Sequence, residues 1–155
     1  MNPSGPWSTA EFGEMSWHDV HTHALSLENF DSAQGSADLL LDIDYIMEWT
    51  SEEAGFRFKV CRAELRFEQV FGLKITLDYV ASSAGMCPFA LSEIKREQVT
   101  YPTGHSSFKW RLEVNWPVGL IEFESPGFTQ RLVGEPREQR EQWLSPEHRA
   151  KKIDA

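Results

Sequence analysis

A cluster of histidines near the start of the chain has residue types that can bind a metal ion. Its sequence, HDVHTH, begins at residue 18. If this segment is a strand, Asp19, His21 and His23 project from one face at two-residue spacing, and such a set can hold a divalent ion. Only His105 and His148 remain as further histidine ligands. One hypothesis for this chain is therefore a metal-dependent hydrolase.

The alternative for these histidines is structural. A His-x-His pair is similar to that of amidohydrolase-type metal barrels, but those barrels need alternating strands and helices over roughly 250 residues. This chain has 155 residues and no such alternation. We therefore favour imidazoles that are hydrogen-bonded at a strand end or solvated, and we expect no cofactor.

Other arrangements that could support catalysis are fewer. Asp42 and Asp44 lie about 7 Å apart if they share a strand face, a separation that a glycosidase could use, but acidic residues on a solvated face are commoner. Cys61 and Cys87 stand outside any metal or catalytic motif, so we expect free, buried thiols. The sequence has no GxSxG, GxxxxGK[ST] or GxGxxG motif. This pattern favours a protein that is not an enzyme.

The segment DLLLDIDYIMEW, residues 38–49, is predicted to be the central strand. Every odd position in it is apolar, whereas Asp42, Asp44 and Glu48 occupy even positions. This is the two-residue alternation of a half-buried strand, with one face in the core and the carboxylates in water. Residues 17–27 indicate a preceding strand, with a short helix as the competing prediction.

The same alternation recurs in segments separated by turn residues: 56–68, 73–79, 89–99, 108–116, 120–124 and 128–133. Without long helical patterns between them, about seven strands predict a mainly β fold, a single-domain antiparallel sandwich or a curved, barrel-like sheet. The domain is expected to span residues 17–144. A flexible lead-in at 1–16, anchored by Trp7 or Phe12, precedes it, and a short helix and tail at 145–155, capped by Ser145 and pinned by Trp143, follow it.

Several local features are also predicted. The alternation changes phase at Cys61 and Arg62, which predicts a β-bulge, and again between Leu91 and Ile94. Residues 70–72 are expected to connect two strands and residues 81–85 to form a loop. One buried cluster should contain eight residues from the apolar strand faces: Leu41, Ile43, Leu65, Phe67, Ile75, Leu77, Leu112 and Val114.

Acidic residues are segregated along the chain. The net charge is −9, yet residues 1–56 contain eleven carboxylates and no Lys or Arg, and the remainder carries thirteen acidic and fifteen basic residues. Such a field repels nucleic acid and anionic lipid, and it attracts cationic surfaces. The first residues lack the pattern of a secretory signal, and no apolar run is long enough to cross a membrane. A cytoplasmic protein with a basic protein partner is the expectation.

The predicted docking face lies on and beside the central strand. Its members are the carboxylates that the alternation places toward solvent, together with two in the following turn: Asp42, Asp44, Glu48, Glu52 and Glu53. Charge complementarity would speed association with a cationic partner. A third hypothesis is a small-ligand carrier with an aromatic cavity, lined by residues such as Tyr45, Trp49, Trp110 and Trp116.

Three short patterns resemble those of small bacterial β-rich proteins. They are Trp17-His18-Asp19, then LLLDID about twenty residues later, then LRFEQVFGLKI with Leu65, Phe67, Val70 and Leu73. This layout, over about residues 17–77, is similar to that of several immunity families from toxin neighbourhoods. The resemblance implies a non-enzymatic binding protein and no catalytic residues.

Overall fold

The computed structural model describes residues 1–80 and 85–150, and almost all of its regular structure is β-strand. Nine strands follow one another: β1 (Trp7–Ser8), β2 (His21–Asp31), β3 (Ser36–Glu52), β4 (Gly55–Leu77), β5 (Phe89–Thr100), β6 (Ser106–Trp116), β7 (Val118–Ser125), β8 (Gly127–Leu132) and β9 (Arg137–Gln139). A 3₁₀ helix (Thr9–Glu14) and a short helix α1 (Pro146–Arg149) complete the described elements.

All the strand pairings are antiparallel and form one sheet that closes on itself. The order is β1-β8-β4-β3-β2-β5-β6-β7, and β4 pairs in addition with β7. Six strands, from β4 through β3, β2, β5, β6 and β7 back to β4, therefore make a ring around the core. The predicted antiparallel, barrel-like β fold is confirmed, with nine strands among the described residues instead of about seven.

Strand β4 is continuous where residues 70–72 were predicted to separate two strands. Gln69 and Gly72 have positive φ angles of 50° and 65°, and the register shifts between Phe71 and Lys74. These irregularities bend the strand without ending it, so its first part pairs with β3 and β8 and its last part with β7. A bent strand of this kind lets one element serve two sides of a curved sheet.

The prediction of a bulge at Cys61 and Arg62 is wrong. The pairing of β4 with β3 is continuous through these two residues, and the nearest register shift falls in β3 between Ile46 and Glu48. Val60 and Cys61 are both fully buried, although neighbouring side chains in a strand face opposite sides. Both faces of the sheet are covered here, which explains why the apolar residues change from even to odd positions along β4. The second predicted irregularity is confirmed by a register shift in β5 between Leu91 and Glu93.

The core contains most of the predicted cluster. Six of the eight residues are buried in it: Leu41, Ile43, Leu65, Phe67, Leu112 and Val114. Leu77 packs against it only partly, and Ile75 is 42% exposed, so its predicted burial is wrong. Both belong to the last part of β4, beyond the bend, where the strand pairs only with β7.

The first sixteen residues are part of the fold, so the prediction of a loose lead-in is wrong. Trp7 is buried and pairs with Gln130 in the contact of β1 with β8. Phe12, from the 3₁₀ helix, packs edge-on against Trp110 with ring centroids 5.5 Å apart. Trp17 is buried and donates through Nε1 to Gln130 Oε1 at 2.8 Å. These aromatic side chains close one side of the core, and they include both of the predicted anchors, Trp7 and Phe12.

The predicted terminal helix is present and short. Ser145 caps it, accepting a hydrogen bond from the His148 amide, and Pro146 is its first residue. Its predicted continuation to Lys151 lies outside the described residues, as does all of the predicted loop 81–85 except Gly85. Within 1–80 and 85–150, the structure contains no helix of the length and apolar character needed to cross a membrane.

Candidate functional site

The carboxylate of Asp44 lies inside the protein, so the prediction that it faces solvent is wrong. Its side chain is 0% exposed. It accepts hydrogen bonds from His23 Nε2 at 2.7 Å, from the Leu144 amide at 3.0 Å and from Arg149 Nη1. The backbone and side-chain donors of the C-terminal segment 144–149 cover the outer face of β3 at this point. A charge buried in this way is tolerated because it is paired and hydrogen-bonded.

Asp42, two residues away on the same face, is half-buried and belongs to the same network. Arg62 donates to it through Nε at 3.1 Å and Nη2 at 2.9 Å, and Arg149 donates through Nη2 at 2.5 Å. Burial raises the pKa of the Asp42 carboxyl, but the hydrogen bonds and charges of the two guanidinium groups outweigh it and hold the pKa below its ordinary value. Arg62 also donates to the Arg149 carbonyl at 3.1 Å, which completes the network.

Much of the acidity of the first 56 residues is neutralised in this manner. Carboxylates from that part of the chain form ion pairs with arginines from the later part: Glu28 and Asp38 with Arg66, Asp42 with Arg62 and Arg149, Asp44 with Arg149, and Glu52 with Arg140. The fold therefore brings acidic residues of the first part of the chain together with arginines of the later part as ion pairs. The continuous acidic face that the sequence predicted does not form.

The histidine cluster does not converge on a common point. Asp19 precedes β2 and has a φ of 61°, so it does not continue the strand face of His21 and His23 as predicted. Its carboxylate accepts from Gln142 Nε2 at 3.0 Å, whereas the His23 imidazole pairs with Asp44. Across residues 1–80 and 85–150, no three His, Cys, Asp or Glu side chains are grouped to hold a metal ion. The geometry predicted for the hydrolase hypothesis is therefore absent from these residues.

The Cys61 thiol and the Ser145–His148 pair could resemble catalytic groups, but both have a structural role. Burial raises the pKa of the Cys61 thiol to about 11, and its sulfur lies 3.3 Å from the Gly134 carbonyl oxygen. Such a thiol is protonated at neutral pH and is a poor nucleophile. Ser145 Oγ and His148 Nδ1 are 2.8 Å apart, but they meet as the cap of α1.

The four aromatic residues proposed to line a cavity are dispersed. Trp110 is fully buried among core rings, and Tyr45 is buried beside Trp7. Trp49 and Trp116 are each about half exposed, and they belong to different hairpins. The predicted aromatic cavity is therefore not formed by these four residues.

The tip of the β3–β4 hairpin combines exposed aromatic and acidic side chains. Trp49 is 45% exposed and Phe56 is 54% exposed, with ring centroids 6.0 Å apart. Beneath them, Phe58 is buried and packs edge-on against Trp49 at 4.8 Å. Glu48 and Glu53 are exposed, and neither forms an ion pair with any described residue. These two carboxylates and Glu52 are the exposed part of the predicted docking set.

The sequence pointed to this hairpin through its acidic residues alone. Its aromatic residues were predicted to be core or cavity because alternation assigns Trp49 to the inner face. The register shift between Ile46 and Glu48 reverses that assignment. No protein-family model, curated protein or solved structure matches this chain.

Proposed function

We propose that this protein is a non-catalytic binding module that docks a basic protein through the tip of the β3–β4 hairpin. The observation that carries the proposal is the exposed pair Trp49 and Phe56 beside the unpaired carboxylates Glu48 and Glu53. The immunity-type role implied by the sequence resemblance belongs to the same proposal, with a toxin domain as the basic partner.

The aromatic pair supplies the binding energy in this proposal. Tryptophan and other aromatic side chains are enriched among the residues that dominate protein interfaces. The Trp49 ring contacts the rings of Phe56 and Phe58, and His18 stacks on it with 6.1 Å between centroids. Because neighbouring rings already restrict its orientation, docking costs less side-chain entropy than it would for a free surface tryptophan.

The carboxylates select the partner. Glu48 directly precedes Trp49 in β3, and Glu53 lies in the turn three residues before Phe56. A Lys or Arg of the partner can pair with one of these carboxylates or lie over the indole face. Because these charges are exposed, their contribution falls with ionic strength and affects the association rate most strongly.

The test uses the purified protein as bait in a lysate of the source organism at low salt. Trp49→Ala and the double variant Glu48→Gln/Glu53→Gln are compared with matched controls. Trp116→Ala removes a tryptophan that is 48% exposed elsewhere, and Glu97→Gln/Glu135→Gln removes two exposed charges elsewhere. Support requires a basic protein whose capture and association rate are reduced by the tip variants, but not by the controls, and are reduced by added salt. If the tip variants capture the same proteins at unchanged rates, or if no basic protein is captured, the proposal is wrong.

A further inference from the structure

Within residues 1–80 and 85–150, one edge of strand β2 lacks a partner strand over most of its length. Strand β5 pairs with it only at Thr22 with Phe89 and at His21 with Ala90. Strand β5 begins at Phe89, opposite Thr22, so β2 extends beyond the start of β5. Residues 23–31 therefore have no strand on that side among the described residues. Every second residue of such an edge presents an N–H and a C=O that are free to pair with an added strand.

An apolar groove adjoins this edge. Its volume is about 570 Å³, and its apolar lining comes from β2, the start of β3 and the bend of β4: Leu27, Phe30, Ala37, Val70, Phe71 and Leu73. Phe30 is 75% exposed, and Leu27 and Phe71 are also solvent-accessible. An unpaired edge and an accessible apolar groove therefore occur together.

The register of β2 on β3 defines what an added strand would meet on each face. Leu25 and Leu27 pair with Leu41 and Leu39, whose side chains enter the core. Ser26 and Glu28 lie on the opposite face, where Glu28 is directly across the strand pair from Asp38. Alternate side chains of an added strand would therefore meet apolar residues on the inner side and a carboxylate on the outer side.

The outer side retains a surplus of negative charge. Arg66 forms ion pairs with three carboxylates, those of Glu28, Asp38 and Glu64. One guanidinium cannot balance three carboxylates, and the second cation nearby, Arg131, forms its ion pair with Glu64 and with no other described residue. A basic side chain on the outer face of an added strand is therefore electrostatically favoured.

We propose that the free edge of β2, from Ala24 to Glu28, binds an extended segment of a partner protein by strand addition. The segment would alternate apolar side chains, which enter the groove, with basic ones, which face Glu28. Register shifts before Ala24 and after Glu28 limit the regular edge to these five residues. This proposal does not depend on the hairpin tip, because a different strand and a different groove carry it.

A second copy of the chain is a poorer occupant than a basic segment. Strand β2 contains no Lys or Arg from His21 to Asp31. In an antiparallel pairing of two β2 edges over residues 24–28, Glu28 of one copy would lie opposite Ala24 of the other. The surplus carboxylates on the outer face would then gain no new cation, whereas a basic segment would supply one.

The test titrates the ¹⁵N-labelled protein with the peptide acetyl-Lys-Val-Lys-Val-Lys-Val-amide. The amide resonances of residues 24–28 should shift, and the alternate amides that face away from β3 should gain protection from hydrogen exchange. A methylated peptide, which has the same sequence and every backbone nitrogen between its ends methylated, should lose binding, because neither of its edges can then donate to the ladder. Replacing its lysines by glutamates should also weaken binding.

Two variants connect the expected affinity to the proposed contacts. Glu28→Lys should weaken the lysine peptide about two- to fivefold, the range of an exposed ion pair, and should strengthen the glutamate peptide. Glu97→Lys, which makes the same charge change on β5, should leave both affinities unchanged. The proposal is overturned if millimolar peptide leaves residues 24–28 unshifted or if the methylated peptide binds equally well. It is also overturned if these amides are protected in the free protein by concentration-dependent dimerisation, because a second copy would then be the occupant.

Discussion

Arg149 and Asp44 are separated by 105 positions in the sequence and form an ion pair in which the carboxylate is inaccessible to solvent. The arginine also contacts Asp42, so one guanidinium from α1 binds two carboxylates of β3. Because the Leu144 amide donates to the same Asp44 carboxylate, the C-terminal segment is fixed to the sheet at two points.

Removal of the arginine should destabilise the protein strongly. The Arg149→Met variant leaves a buried carboxylate without its cation, and we expect the free energy of unfolding to fall by about 3 to 5 kcal/mol. Urea denaturation measures the change. Arg131→Met, at an exposed ion pair with Glu64, is the matched control and should cost less than about 1 kcal/mol. The double variant Asp44→Asn/Arg149→Met should recover part of the loss, and equal effects of the two single Arg variants would contradict the structure.

Stability should depend on pH through Asp42. A carboxyl group whose pKa is lower in the folded state stabilises the fold above its unfolded pKa, and that contribution is lost as the pH falls through the folded value. The wild-type protein should therefore exceed Asp42→Asn in stability at neutral pH, and the difference should shrink below about pH 4. Urea denaturation over this pH range measures both proteins. A difference that is constant with pH would show that Asp42 is not paired as described.

Two apolar positions that the sequence treats alike should respond differently. Leu112 is fully buried and Ile75 is largely accessible. Leu112→Ala should cost about 2 to 5 kcal/mol, whereas Ile75→Ala should cost less than about 1 kcal/mol. Thermal and urea unfolding of the two variants would measure the difference. Similar losses for both would place Ile75 in the core after all.

The two thiols should differ in reactivity. Cys61 is buried with its pKa raised to about 11 by burial, whereas Cys87 is partly accessible. A chromogenic disulfide reagent should therefore modify one thiol rapidly in the native protein and two after denaturation. Cys87→Ser should abolish the rapid phase, and a rapid phase that persists in this variant would show that Cys61 is exposed.

The strands were predictable because alternation of apolar and polar residues reflects the inner and outer faces of a sheet. Thus β6 and β7 match their predicted segments closely. Alternation does not reveal whether another part of the chain later covers the outer face. Asp42 and Asp44 were therefore predicted to be solvated, although Leu144 and Arg149 return to cover them.

The candidate site was predictable only in part, for a related reason. Glu48, Glu52 and Glu53 were identified from charge alone, and they are exposed. The exposure of Trp49 depends on a register shift in β3, and no residue type in that strand marks its position. The free edge of β2 depends on where β5 begins, which is a property of strand order that periodicity does not specify.

The turn between β3 and β4 separates two parts of the chain with opposite net charge. The part before Arg57 has a net charge of −11, and the part from Arg57 onward has a net charge of +2. Several carboxylates of the first part form ion pairs with arginines of the second part. Because this turn connects the two most extensively paired strands, the chain is suited to fragment complementation. Two polypeptides divided at this turn should find each other through long-range attraction at low ionic strength, reassemble the sheet along the β3–β4 ladder, and lose their affinity as salt screens the attraction.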